Sequence, residues 1–303
     1  MNRHELVDSA TVTVSALALR GNTFFSRSLT SPHTGDAVSD TSVTLDSVKI
    51  SGKRAVVAET PVGRFRSAYL AWQWHGDDDP TLIYHHGSGE DPFDFGQFNS
   101  NSFKRLFAAA AWDVPANVIA IRAPFHDRSS LDYARSMGDL ANFVGMCATS
   151  TVLVDVLARR LRDRGHPAVV DSGLSLGGWI TNLHRASFGT ADGYVPLFAD
   201  ASLGEMFVSS VYRKMTGPRA RENPDRLRAV LDFDRMFLEN RAADCTPLLA
   251  RYDRIIKFET QRHCYDGLPL AVIEKGHVTG SLATDRLREC VREGLAGATP
   301  PRS

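Results

Sequence analysis

The chain of 303 residues lacks an excess of either charge: 35 Lys and Arg stand against 35 Asp and Glu. Without a basic surplus it carries no electrostatic footprint for nucleic acid, and no block of like charges forms an interaction tail. Cysteine is scarce. Cys147, Cys245, Cys264 and Cys290 are scattered with no C-x-x-C pair, which argues against a zinc site or a thioredoxin-like motif and for reduced, buried thiols. No run approaches 18 uninterrupted apolar residues, so no membrane span is predicted. Internal repeats and low-complexity tracts are absent too, which excludes a solenoid. The stretch Ala10–Leu19 is fairly apolar, but Thr11, Thr13 and Ser15 dilute it, and Glu5 and Asp8 occupy the place where a secretory leader carries basic residues. It reads as an N-terminal helix packed on the protein, and the chain is expected in the cytoplasm.

What is present is ordinary globular material, 43% hydrophobic and 23% charged. That is enough for one large domain with a core, or two small ones. Residues 1–42 read as a helix followed by a linker, since Ser31–Ser42 is polar and turn-rich. From residue 43 to 303, short strand-like runs alternate with helical patterns, the signature of βαβ units and a largely parallel sheet. Strands are expected at Val43–Ile50, Ala55–Glu59, Ser67–Trp74, Thr81–Tyr84, Asn117–Arg122, Ala168–Val170, Gly193–Phe198, Thr246–Arg251 and Leu268–Ile273. The first three have no helices between them and suggest an antiparallel start. Helices are expected over Asn101–Trp112, with Phe103, Leu106, Phe107 and Ala110 on one face, over about Leu131–Arg164, over Trp179–Ala186, and over Leu282–Leu295 with Ser281 as N-cap. The rhythm breaks between about 200 and 243. That segment is helical in flavour, apolar at first (Met206, Phe207, Val208) and then charged, and reads as an insertion between two late strands.

The segment most charged with chemistry is Gly173-Leu174-Ser175-Leu176-Gly177. G-x-S-x-G alone is a weak pattern, but here it lies between a strand and a helix, where a nucleophile elbow requires it. A sharp turn there lifts a serine hydroxyl clear of the sheet, and small residues on either side let strand and helix approach. The pattern does not fit a dinucleotide fingerprint, because Ser175 stands where G-x-G-x-x-G needs glycine. Serine needs a base. His277, in the loop after the strand 268–273 and preceded by Gly276, is the best placed. The base needs an orienting carboxylate, and Asp253 follows the strand 246–251 directly; Asp200, at the end of the strand 193–198, is the second candidate. The order Ser175, Asp253, His277 is that of α/β-hydrolases and differs from the chymotrypsin and subtilisin orders. Leu176 supplies one backbone N–H for an oxyanion, and the loop His85-His86-Gly87-Ser88-Gly89 is placed to supply another.

On these residues the chain resembles the α/β-hydrolases, from about Val43 to the C-terminal helix. The resemblance implies an α/β fold with a mostly parallel eight-stranded sheet, helices on both faces, and a small helical cap formed by the insertion. His86-Gly87 is similar to the His-Gly that opens the oxyanion loop in such proteins, which puts the donor at Gly87 or Ser88. Ser88-Gly89 departs from the double or triple glycine of the hormone-sensitive-lipase type, so that subfamily is not implied. The expected activity is cleavage of a carboxylic ester or related acyl bond in a small molecule, through an acyl-enzyme and with no metal or organic cofactor. Acyl transfer, thioester or peptide cleavage on the same triad, and a non-catalytic binding role, are the alternatives. His86, His126, Met206 and Phe207 are the further residues expected near the substrate.

Overall fold

The computed structural model describes residues 2–19, 21–45, 50–108, 114–240 and 244–299. Among these, ten strands form one sheet in the order β1-β2-β3-β5-β4-β6-β7-β9-β10, with β8 paired to β7. They are β1 (Ser42–Val43), β2 (Gly52–Thr60), β3 (Gly63–Gln73), β4 (Thr81–His85), β5 (Asn117–Arg122), β6 (Val169–Leu174), β7 (Gly193–Leu197), β8 (Asp244–Cys245), β9 (Leu248–Ala250) and β10 (Ala271–Ile273). The count exceeds the expected eight because β1 and β8 are two-residue pairings. β1 to β3 and the β3–β5 pair are antiparallel. From β5 through β4, β6, β7 and β9 to β10 every pair is parallel.

Alternation along the central strands splits the apolar core into two layers. Ile83, Ile119, Ile121 and Val169 face one way. Leu82, Tyr84, Val118, Ala120 and Val170 face the other. This is the period of two that a strand imposes, and both faces need a helical cover because both are apolar.

The helices in chain order are α1 (Arg3–Ala18), α2 (Thr34–Ser39), α3 (Ser130–Ser136), α4 (Leu140–Asp163), α5 (Leu176–Ser187), α6 (Leu203–Ser209), α7 (Pro218–Arg221), α8 (Pro224–Leu231), α9 (Asp234–Glu239), α10 (Phe258–Cys264), α11 (His277–Ser281) and α12 (Thr284–Ala298). Residues of α4 and α5 pack in the first layer, and Leu287, Val291 and Leu295 of α12 in the second. By length and composition α4 could cross a membrane, but 83% of its apolar window is buried inside the protein. Core packing is sufficient reason for its sequence.

Five expectations need correction. The single helix over 131–164 is two, because the carbonyls of Met137 and Gly138 accept from Phe25 and Arg27 at 2.9 Å each. The backbone of 25–28 thereby interrupts the helical ladder. The linker 31–42 contains the buried helix α2, started by His33, whose Nδ1 accepts from the Gly35 N–H at 3.1 Å. Thr34 ties it to the carbonyl of Val230 at 2.8 Å. The last helix begins at Thr284 with Ala283 as its cap. Ser281 instead closes the short turn of α11, its hydroxyl donating to the Val278 carbonyl at 2.8 Å. The first strand pairs only at 42–43, with residues 46–49 outside the described set. The helix expected over 101–112 is a π-turn at Lys104–Ala108 with Phe103, Leu106 and Phe107 buried, while residues 109–112, Ala110 among them, lie outside the described residues.

α12 has no room to spare against β7. A Cβ on Gly294 would stand 2.2 Å from Cγ2 of Val195. Gly294→Ala should therefore lower stability by about 1–3 kcal/mol through overpacking, measurable by urea unfolding. A stability equal to wild type would show that α12 slides freely on the sheet.

Candidate active site

β6 runs straight into Ser175, which adopts φ 56°, ψ −110° before α5 begins. Positive φ costs a serine conformational energy, and the surroundings hold it there. The Ser175 N–H donates to the Leu197 carbonyl at 2.8 Å, and its own carbonyl accepts from Trp179 at 3.0 Å. The flanking glycines are required by backbone contact. A Cβ on Gly173 would lie 2.3 Å from the carbonyl carbon of Gly177, and one on Gly177 2.1 Å from the carbonyl oxygen of His85.

Three sequence-distant side chains meet at this turn. His277 Nε2 is 2.9 Å from Ser175 Oγ. His277 Nδ1 is 2.7 Å from Asp253 Oδ2. Asp253 Oδ1 accepts from the N–H groups of Ile255 and Ile256, both at 2.8 Å, and Gln261 Nε2 donates to Oδ2 at 3.1 Å. Burial raises the Asp253 carboxyl above its ordinary range, while the charge and hydrogen bond of His277 work the other way. Burial opposes the charged form of His277, but the charge of Asp253 and its hydrogen bond outweigh this and hold the imidazole above its usual value. With Nδ1 donating to Asp253, Nε2 is the acceptor that faces the serine.

Asp200 stands apart from this chain of contacts. Its Oδ1 accepts from Trp179 Nε1 at 3.0 Å, and burial pushes its carboxyl up to about 7. The geometry brings Asp253, and not Asp200, to the histidine.

The His85–Gly89 loop is built around its histidines. His86 is fully buried; Nδ1 donates to the Gly87 carbonyl at 2.7 Å and Nε2 accepts from the Ala123 N–H at 3.1 Å. Burial drives its pKa well down, with His126 and His85 adding to the effect. His85 stacks on it at 4.8 Å and is pushed by burial to about 3. His126 is buried on the other side, its Nδ1 against the Pro124 carbonyl at 2.9 Å. His86 and His126, expected near the substrate, are instead supports of loop backbone and line no part of the cavity over Ser175. The Gly87 N–H donates to Glu90 Oε2 at 3.1 Å.

That cavity, about 250 Å³, is lined by Ser175, His277, Ser88 and Leu176 and walled by Phe24, Phe143, Met206, Phe207 and Tyr212. Met206 and Phe207, expected there, are present. Thr11, Val12 and Ser15 of α1 also line it, and sequence reasoning gave the first 42 residues no place in the site. It also missed Gln261, Glu90 and Asp8. An acid in a helix carries no sequence mark of its partner, so Asp8 was visible only as a residue out of keeping with a leader peptide.

No family model matches the chain, and no curated protein matches it. The likeness is to solved structures. Acetyl xylan esterase 1 from Thermoanaerobacterium sp. JW/SL YS485 superposes with a TM-score of 0.51 at 14% identity, covering 90% of this chain and 98% of that one. Acetyl xylan esterase from Paenibacillus sp. R4 gives 0.50 at 14%, over 95% and 94%. The acylaminoacyl peptidase of Pyrococcus horikoshii gives 0.52 at 11%, over 84% of this chain and 43% of that one. At such identities the likeness establishes architecture, and the architecture is the α/β-hydrolase fold.

The raised Asp200 carboxyl has a consequence for stability. A carboxyl that binds its proton more tightly when folded contributes stability that is lost as pH rises from its unfolded value toward the folded value of about 7. Asp200→Asn removes that loss. Its melting temperature should fall less between pH 5 and pH 8 than the wild type's, with turnover within a few-fold. Parallel melting curves would show the carboxylate to be compensated in another way.

Proposed function

We propose that the protein is a serine hydrolase of small carboxylic esters, with Ser175, His277 and Asp253 as its triad. The carrying observation is the unbroken path from Ser175 Oγ through both nitrogens of His277 to a buried carboxylate. A serine hydroxyl at neutral pH is a weak nucleophile, and this path supplies its base.

The geometry supports the following reaction. Ser175 Oγ attacks the ester carbonyl carbon while its proton passes to His277 Nε2. The tetrahedral intermediate collapses, the C–O bond to the alcohol breaks, and Nε2 returns the proton to the leaving oxygen. Water then attacks the acyl-enzyme by the same route, releasing the acid and restoring Ser175. Asp253 keeps the Nδ1–H tautomer in place and stabilises the imidazolium.

The oxyanion would be met by backbone N–H groups of Leu176 and Ser88. Leu176 opens α5, where the helix dipole favours negative charge. Of the two loop donors, the Gly87 N–H is engaged by Glu90, whereas His86 grips the Gly87 carbonyl. In a trans peptide the N–H of Ser88 then points away from that carbonyl, which favours Ser88 over Gly87. The apolar wall of Phe24, Phe143, Met206 and Phe207 in a cavity of about 250 Å³ suits a short acyl group. We place the protein in the cytoplasm, in keeping with four buried cysteines.

Hydrolysis of p-nitrophenyl esters from acetate to long-chain acyl tests this. Short chains should turn over fastest, and Ser175→Ala should lower kcat by roughly 10⁴–10⁶-fold. Because the neutral imidazole is the working base, kcat/KM should fall as pH drops through a His277 pKa displaced above the ordinary histidine value. Folded wild type that ignores the whole series and a fluorophosphonate probe would sink the hydrolase reading and favour a binding role.

A further inference from the structure

Asp8 lies in the middle of α1, 269 residues before His277 in the sequence. It is completely buried. Its Oδ2 accepts from the N–H of His277 at 2.9 Å and from the N–H of Arg254 at 3.0 Å, and its Oδ1 from the N–H of Val278 at 2.9 Å. One carboxylate thus holds the residue that follows Asp253, the backbone of His277 itself, and the residue after it. The acid loop and the histidine loop belong to different strands, β9 and β10, and Asp8 joins them from outside the sheet.

The local sequence is arranged for this contact. α11 starts at His277 with Gly276 as its cap, and glycine has no side chain to accept the first free N–H groups of the helix. Asp8 does so instead. A Cβ on Gly276 would stand 2.8 Å from Asp8 Oδ2 and 2.9 Å from the His4 carbonyl oxygen, so only glycine admits α1 this closely. One turn earlier His4 Nδ1 meets Thr279 Oγ1 at 2.9 Å, and that hydroxyl also accepts from the Gly276 N–H at 3.0 Å. The Arg254 guanidinium goes to Glu5, 3.7 Å away, and not to Asp8. Burying a carboxylate is costly, and these three main-chain hydrogen bonds offset that cost only while α1 keeps its seat against both loops.

We propose that Asp8 is a positioning residue for the triad: it fixes His277 and Asp253 relative to one another and places a carboxylate behind the imidazole. The assignment rests on the hydrolase reading for its effect on rate, but its effect on His277 does not need turnover. The imidazole itself meets Ser175 from the elbow and Asp253 from the acid loop, with the Phe198 ring 6.0 Å away, while Asp8 from α1 takes the His277 main-chain N–H. Asp8 holds the main-chain N–H groups of His277, Val278 and Arg254, and its charge acts against that of Asp253; on its own helix His4 turns to Thr279 and Glu5 to the Arg254 guanidinium. The charge of Asp8 acts in the same direction as that of Asp253 in raising the His277 pKa.

The test compares wild type, Asp8→Asn and Thr13→Ala as full-length chains. Asp8→Asn keeps size but loses the charge and turns an amide toward one N–H donor. Thr13→Ala removes a different tie of α1, the 2.8 Å bond from Lys214, and should match wild type throughout. For each, kcat and KM are measured on a p-nitrophenyl ester, near-UV circular dichroism checks the fold, and the imidazole of His277 is titrated by NMR, its signal identified by its loss in His277→Gln. Asp8→Asn is expected to fold, to lose roughly 10–100-fold in kcat with KM little changed, and to titrate His277 at lower pH than wild type. A folded variant with wild-type kcat, a rate loss with an unmoved titration, or a variant that does not fold would each overturn the positioning role. Were wild type itself inert toward every ester, the hydrolase reading would fail, and the titration alone would decide the role of Asp8.

Discussion

Everything around the site hangs on a place where backbone touches backbone. β4, β6 and the start of α5 converge at Gly173 and Gly177, where any side chain would collide with main-chain atoms. Because they converge, Ser175 must turn through positive φ, and because it turns, its hydroxyl leaves the sheet and its N–H bonds to Leu197 on the next strand. The strain is local and is held by many parallel contacts, none of which is individually strong. That is how a packed interior keeps one residue in an unfavourable conformation.

Around that turn the protein handles buried carboxylates by different means. Asp253 is surrounded by two backbone donors, an amide and an imidazole. Asp8 accepts from three main-chain N–H groups. Asp200 has an indole donor, and burial keeps its proton on to about 7. Asp253 thus stands against His277, whereas Asp200 stands against the indole of Trp179. The loop histidines contrast with His277: burial disfavours charge on His85, His86 and His126, whereas the imidazole in contact with the serine is held above its usual value by Asp253.

The parts of this arrangement that were legible in the sequence are those written in local pattern. The elbow shows as glycines spaced about a serine between a strand and a helix. Asp253 and His277 show because each follows a late strand, and the central strands show through their apolar runs. What was not legible depends on contact between remote segments. The break between α3 and α4 comes from the backbone of residues 25–28, not from any breaker signal strong enough to read. α2 is six residues long and polar, so only its docking reveals it. His86 was expected near the substrate from its place in the His-Gly loop; two backbone partners turn it inward instead. That the Gly87 N–H is taken by Glu90, three residues on, was not legible either.

The bond from Asp8 to His277 closes a loop of nearly the entire chain. Contacts of such separation cost the most chain entropy and form late, after local helices and the neighbouring strand pairs have reduced the search. The sheet and the elbow can therefore assemble before the histidine loop is docked. Loss of α1 from its seat would leave a largely intact sheet with the acid and base loops no longer tied to each other. The sheet and the tie between its two late loops are thus separate constructions, and the first helix belongs to the second of them.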